Sequence, residues 1–200
     1  MNMNQFREVK FVLLGDTGVG KSSLMLQFVN KRFDDRSEPT IGASFLQKVH
    51  KLEDHYYKCQ IWDTAGQEKY HSLAPMYYRG AACAIICLDI TRKETLETAS
   101  AWIVELQTKG PPNICVAIAG NKADLEGEQE VDVAEVTSHA ESIGAIYLET
   151  SAKNGTNVDA LFEGLLRKLP PIVHSKPEDG QVDLKALVEH SRAPKRSTCC

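Results

Sequence analysis

The sequence predicts an α/β domain built on one open, mostly parallel sheet of six strands, with one antiparallel edge strand and helices on both faces. Three observations lead there. Strand-like apolar runs alternate with segments of helical period along most of the chain. Two of the runs, 81–88 and 114–119, are continuously apolar, the pattern of strands covered on both sides of a parallel sheet. A glycine-rich turn at 15–22 joins the first strand to the first helix, as a βαβ architecture requires.

Each element has its own reason. Residues 9–14 are an apolar run ending at the glycine turn, and a helix follows over about 21–29. The stretch 30–42 is looser, with Pro39 among several charges. Strands at 44–52 and 56–62 flank a Glu53-Asp54 turn and form a hairpin; Tyr57, Cys59 and Ile61 alternate with Lys58 and Gln60 at the period of two. Residues 63–79 read as polar and turn-rich. Leu96, Ala99, Ile103 and Leu106 recur at spacings of three and four, which makes a helix linking the two continuous apolar strands. A short last strand occupies 145–148. Val158, Leu161, Phe162, Leu165, Leu166 and Leu169 line a final helix, with Thr156 and Asp159 spaced as its cap. Pro170-Pro171 stops it. The expected organisation is an extension at 1–8, a single domain at 9–170 and a tail at 171–200. For that tail disorder is the favoured reading over a short helix near 182–190.

Composition narrows the function. The 200 residues are 42% hydrophobic and 25% charged, which excludes a wholly disordered or fibrous chain. With 23 Lys and Arg against 27 Asp and Glu, the net charge is -4, and strong sequence-independent nucleic-acid binding is not expected. No apolar run reaches the roughly 18 to 20 residues of a membrane helix, and the first residues lack the apolar centre of a secretory leader, so a cytosolic protein is expected. Of six cysteines, Cys59, Cys83, Cys87 and Cys115 lie in apolar strands and read as reduced core residues. The histidines are scattered singly, which disfavours zinc.

Four loops at strand ends carry the chemistry. Gly15-Asp16-Thr17-Gly18-Val19-Gly20-Lys21-Ser22 fits GxxxxGK[ST] in its strand-to-helix setting. Its main-chain N–H groups and the helix dipole would hold a phosphate chain; Lys21 would reach the outer phosphates and the Ser22 hydroxyl a magnesium ion. Asp63-Thr64-Ala65-Gly66-Gln67 follows the hairpin's second strand. There Asp63 would serve magnesium, the Gly66 N–H the terminal phosphate, and Gln67 an attacking water. Asn121-Lys122-Ala123-Asp124 supplies base recognition. Asp124 accepts both the N1 and N2 hydrogens of guanine, whereas adenine offers an acceptor at N1 and no N2 amine. Asn121 would tie this loop to the phosphate loop, and the Lys122 stem would cover the purine. Thr150-Ser151-Ala152-Lys153 adds main-chain N–H groups for guanine O6.

With GDTGVGKS, TIG, WDTAGQE, NKAD and ETSAK in this order over nearly the whole domain, the chain resembles the Ras superfamily of small GTPases, and hence a P-loop NTPase small G domain. The words IGASF, KYHSL and YYRGA resemble the Rab family, and TIGASFL with AGQEKYHSLAPMYYRGAA is similar to its early-endosomal subgroup. The resemblance implies that Ser23 also meets the nucleotide, that Phe33 packs against guanine, and that Thr40 is a magnesium ligand in the triphosphate state. It implies an effector surface at Ile41, Phe45, Trp62 and Tyr77; from the residues alone, those aromatics read equally well as core. The chain departs from most Rabs at Ala43-Ser44, where Val-Asp is usual, at Lys69 in place of Arg, and at Cys87-Leu88 in place of Val-Tyr. These changes bear on effector identity rather than catalysis.

The terminal Cys199-Cys200 is not a C-a-a-X box but resembles the Rab signal for two geranylgeranyl groups. Two chains anchor stably where one binds marginally, and Arg192, Lys195 and Arg196 nearby would add attraction to anionic lipid. The implied partners are GTP and GDP, an exchange factor, a GTPase-activating protein, a GDP dissociation inhibitor, a Rab escort protein and effectors. The implied place is the cytosolic face of endosomal membranes. A metabolic P-loop kinase would need an acceptor pocket and a lid, for which no insertion is long enough, and a non-catalytic scaffold would have no use for Gln67.

Overall fold

The computed structural model describes residues 6–36 and 38–171. The sheet's order is β2-β3-β1-β4-β5-β6. Its strands are β1 (Arg7–Leu14), β2 (Ala43–Leu52), β3 (His55–Thr64), β4 (Cys83–Asp89), β5 (Cys115–Asn121) and β6 (Ile146–Thr150). Edge strand β2 pairs antiparallel with β3, and all other pairings are parallel. Strand β1 lies centrally, and the chain winds outward from it in both directions. The carboxyl ends at that reversal form the crevice where sheets of this type bind ligands.

Alternation along the strands splits the core in two. Val9, Phe11 and Leu13 of β1 face one layer with Cys59, Ile61, Ile85 and Ala119, while Val12 and Leu14 face the other with Ala84, Ile86, Leu88 and Ile118. The first layer is closed by α1 (Lys21–Asn30) and α5 (Val158–Lys168), where Phe28 stacks on Phe162 at 3.8 Å and Phe162 meets Phe11 at 5.3 Å. On the opposite face lie α2 (Ala74–Tyr78), α3 (Glu94–Lys109) and α4 (Val133–Ser142), through Tyr78, Trp102, Ile103, Leu106, Val136 and Ala140. The six strands and the βαβ windings agree with the pattern read from the sequence. Cys59, Cys83 and Cys87 are buried free thiols and Cys115 is half-buried and free. Burial pushes the Cys59 and Cys87 thiols up to about 12.

Several elements differ from expectation. The hairpin's second strand continues to Thr64, so Asp63 sits within β3 rather than beyond it. Residues 63–79 are not simply turns: a 3-10 helix, Glu68–Leu73, and then α2 carry the chain back toward β4. None of the six side chains in that 3-10 helix is buried, which removes the periodic signal. Helix α4 has only Val136 and Ala140 buried, too sparse a stripe to read, and Asp132 caps it by accepting from the Ala134 N–H at 2.9 Å. On α3 the buried stripe is Thr95, Ala99, Trp102, Ile103 and Leu106, with Leu96 only half-buried. Thr156 does not cap α5. Asn157 holds that position in the left-handed region, φ 55°, and the Thr156 hydroxyl donates to Asn154 Oδ1 at 2.6 Å.

Among the described residues no helix is long and apolar enough to cross a membrane. The tail readings, including the helix near 182–190, the basic residues and Cys199-Cys200, lie outside the described residues, as do the first five residues of the extension.

Candidate functional site

A cavity of about 800 Å³ opens at the carboxyl end of the sheet, within the range of small-ligand sites. Its wall brings together Thr17, Gly18, Gly20, Lys21, Ser22 and Ser23 from the glycine turn and α1, and Phe33 and Thr40 from the looser connection. Thr64 and Gly66 come from the end of β3, Asn121, Lys122 and Asp124 from the end of β5, and Ala152 and Lys153 from beyond β6.

The glycine turn is packed so tightly that two glycines are dictated by their neighbours. Gly20 has φ 95°, and a Cβ there would lie 2.2 Å from Asn121 Nδ2; a Cβ on Gly66 would lie 2.4 Å from the main chain of Asp16 and Thr17. The turn therefore touches the loop after β3 on one side and the loop after β5 on the other. Asn121, 2% exposed, makes the second junction: its Nδ2 donates to the Val19 carbonyl at 2.8 Å, while its Oδ1 accepts from the Ala152 N–H at 3.1 Å. One amide thus joins three loops. Lys21, 5% exposed, folds back over the turn and donates to the carbonyls of Gly15 at 2.8 Å and Asp16 at 2.6 Å. Burial lowers its pKa, and an ammonium has a third proton to offer the cavity.

The three residues read as magnesium ligands converge. Ser22 Oγ lies 2.6 Å from Asp63 Oδ2 and 2.8 Å from Thr40 Oγ1, which is 3.2 Å from the same carboxylate oxygen. Ser44 Oγ, one of the departures from the Rab pattern, donates to it as well at 3.2 Å. Asp63 is fully buried, and its Oδ1 has no protein partner among the described residues. Burial raises its pKa, and the hydroxyl donors and Lys21 oppose that shift. An orphaned carboxylate oxygen beside two hydroxyls is a hard, all-oxygen donor set that fits magnesium. With no cluster of three or more His, Cys, Asp or Glu among the described residues, remaining ligands would come from water and phosphate.

On the base side, Asp124 Oδ1 accepts from the buried Ser151 hydroxyl at 2.5 Å, and Lys153 Nζ lies 3.9 Å from Oδ2. Ser151 positions the carboxylate rather than lining the cavity. The main-chain N–H groups here are less free than expected: Ser151's bonds Thr156 O at 3.0 Å and Ala152's bonds Asn121. Lys122, in the left-handed region at φ 71°, lines the cavity and places its ammonium 2.5 Å from Asp89 Oδ2. Phe33 is 41% exposed on the cavity wall. Gln67 is half-exposed and stands one residue beyond Gly66, which lines the cavity where Gln67 does not.

Outside the cavity, Trp62 lies 5.2 Å from the Phe45 ring and 5.9 Å from that of Tyr77, with Lys10 Nζ 5.4 Å above it. Phe45 is 45% exposed and Ile41 83%, while Trp62 and Tyr77 are half-buried and Tyr77 packs against the second core layer, so the cluster is a surface patch seated on the core. The sequence reading missed Asp89, Thr91 and Arg92 at the end of β4. No arginine stood out as touching the phosphate loop, yet Arg92 Nη2 donates to the Thr17 carbonyl at 3.2 Å. The available signal was a polar Asp-Ile-Thr-Arg after a continuously apolar strand.

A tightly packed glycine-rich loop, an all-oxygen donor set and the Asp124 carboxylate share one rim of the sheet, and the Ras family matches residues 10–170. The chain belongs to the Ras family and is a GTP-hydrolysing enzyme of the Rab type. It is 48% identical to Ras-related protein Rab-31 of Homo sapiens, over 99% of this chain and 100% of that protein. It is 47% identical to Ras-related protein Rab-5A of Dictyostelium discoideum, over 100% and 98%. To Ras-related protein Rab-22A of Homo sapiens it is 50% identical, over 96% and 98%.

Proposed function

We propose that this chain is a GTP/GDP switch of the early-endosomal Rab kind, acting in endocytic vesicle transport from the cytosolic face of the membrane. The observation that carries the switch reading is the junction of Ser22, Thr40 and Asp63. It links the phosphate loop, the looser connection around Pro39 and the end of β3 through oxygens within 3.2 Å. A magnesium ion held by Ser22, Thr40 and Asp63 would neutralise charge on the outer phosphates.

The chain's own residues do the rest. The glycine-turn N–H groups and Lys21 hold the phosphates. The N–H of Gly66, which packs against Asp16 and Thr17, meets the terminal phosphate. Gln67, immediately after it, orients the attacking water. Asp124, held by Ser151, reads guanine, and Phe33 covers its edge. No residue of the chain supplies an arginine to the terminal phosphate in this reading, so hydrolysis is slow until a GTPase-activating protein completes the site. Loss of the phosphate releases the segments around Thr40 and Gln67, and with them the patch of Ile41, Phe45, Trp62 and Tyr77 that effectors read in the GTP state. An exchange factor resets the cycle. Two geranylgeranyl groups on Cys199 and Cys200, attached with a Rab escort protein and extracted by a GDP dissociation inhibitor, hold the switch at the membrane.

Calorimetry on nucleotide-stripped protein with magnesium tests the binding half: GTP and GDP are expected to bind and ATP not, and equal affinities would sink the guanine assignment. Imaging of tagged protein with endosomal markers tests the other half. Removal of Cys199 and Cys200 is expected to abolish punctate signal, and unchanged puncta would refute lipid anchoring.

A further inference from the structure

Four bonds converge on Asp89, a carboxylate with no exposed surface at the end of β4. Its Oδ1 accepts from the Thr91 N–H at 3.0 Å and the Thr91 hydroxyl at 2.7 Å. Its Oδ2 accepts Lys122 Nζ at 2.5 Å and Arg92 Nε at 3.2 Å. Burial alone would raise its pKa, but the bonds from Lys122 and Thr91 outweigh that and hold it below the usual carboxylate range. The carboxylate's acceptor capacity is filled.

Arg92 is fixed at both ends. Its main-chain N–H donates to the Asp89 carbonyl at 3.0 Å, and its own carbonyl accepts from the Thr95 N–H at 3.1 Å and the Thr95 hydroxyl at 2.7 Å. With Nε seated on Asp89, the planar guanidinium carries Nη2 to the Thr17 carbonyl at 3.2 Å. The same nitrogen would lie 3.9 Å from a Cβ on Gly18. Thr17 is in the middle of the phosphate loop, and Lys122 is in the base loop. One buried carboxylate therefore holds both halves of the nucleotide site through two cations.

We propose that Arg92 is a positioning residue that clamps the phosphate loop at Thr17 and thereby slows nucleotide release, with Asp89 as its anchor. The inference rests on the nucleotide reading above. The clamp is a bridge, Nε on one partner and Nη2 on the other, so positive charge alone does not make it. A lysine carries its donors on one nitrogen, which would have to approach Asp89 Oδ2 and the Thr17 carbonyl at once, whereas the guanidinium reaches them with two separate atoms.

The test uses the full chain with magnesium, loaded with a fluorescent GDP analogue and chased with excess GDP. Arg92→Ala and Arg92→Lys are both expected to raise the dissociation rate about three- to tenfold, the scale of one lost hydrogen bond of ordinary net strength at a side chain partly open to solvent. Glu94→Ala, which removes an exposed partner 3.7 Å from Arg92 Nη1, is expected to stay within about twofold of wild type. Because the clamp acts on phosphates, the ratio of GDP to inosine diphosphate affinity, which reports the Asp124 edge, is expected to be unchanged in both Arg92 variants. Amide exchange across 15–20 is expected to quicken in them. A dissociation rate within twofold of wild type for Arg92→Ala would overturn the clamp, as would Arg92→Lys behaving as wild type or a changed base ratio. Failure of the wild-type chain to retain any guanine nucleotide would instead overturn the nucleotide reading, and the clamp with it.

Discussion

Asp63 and Asp89 are both carboxylates without exposed surface, both near the carboxyl ends of strands flanking β1, yet their pKa values move in opposite directions. Asp89, near the base loop, is saturated by Lys122, Arg92 and Thr91. Asp63, at the phosphate side, has hydroxyl donors on one oxygen and none on the other. A carboxylate paired with fixed cations is complete within the fold. One surrounded by hydroxyls is electrostatically unfinished, and a divalent cation inverts its local balance. Asp89 is a closed junction, whereas Asp63 keeps one acceptor oxygen open.

The sharpest way to break that contrast is at the base edge. Asp124→Ala is expected to cut discrimination of GTP over ATP by a factor on the order of 10³ to 10⁴, read by competition binding. Retained preference would mean that the base side is not preset by this carboxylate. On the phosphate side, Gln67→Leu is expected to lower single-turnover hydrolysis at least about tenfold while nucleotide affinity holds. An unchanged rate would remove Gln67 from the reaction.

Smaller effects separate the two aspartates. Asp89→Asn is expected to destabilise the protein by about 1 to 3 kcal/mol, since it leaves two cations with a weaker acceptor. Asp63→Asn in nucleotide-stripped, chelator-treated protein is expected to be neutral or stabilising by about 1 kcal/mol, because it removes a charge that burial disfavours. Urea midpoints of the two variants read the signs, and equal signs would erase the distinction. The smallest effect is in acid. Asp89 has a lowered pKa in the fold, so its contribution is full above the ordinary carboxylate value near about 4 and is lost as pH falls through its folded value. Asp63 has the reverse sign: its cost appears as pH rises past the ordinary value. The difference in stability between wild type and Asp89→Asn is therefore expected to shrink below about pH 4, and a constant difference would contradict the assignment.

Much of this site was legible because local rules write it. A GxxxxGKS turn between an apolar run and a helix can be read without contacts, and so can an Asp at the edge of a loop after a continuous strand. What escaped has a common physical cause. Ser151 was read as a main-chain donor, yet its hydroxyl turns out to hold Asp124, because β5 and β6 pair in a register that sets their ends side by side. Arg92 had no motif to announce it, since its partner Thr17 is 75 residues away. The 3-10 helix after Gln67 and helix α4 were missed because few or none of their side chains are buried, so no apolar period marks them.

By itself the sequence determined the order of the six strands, the hairpin edge, the four loops and the carboxylate of Asp124 beyond β5, because period and turn chemistry act within a few residues of the chain. The tertiary structure alone decided which atoms are left unpaired and which are saturated: the orphan oxygen of Asp63, the four bonds on Asp89, and the guanidinium that reaches from β4 to Thr17. Those depend on distances between strands that are remote in sequence, and only the register of the sheet sets them.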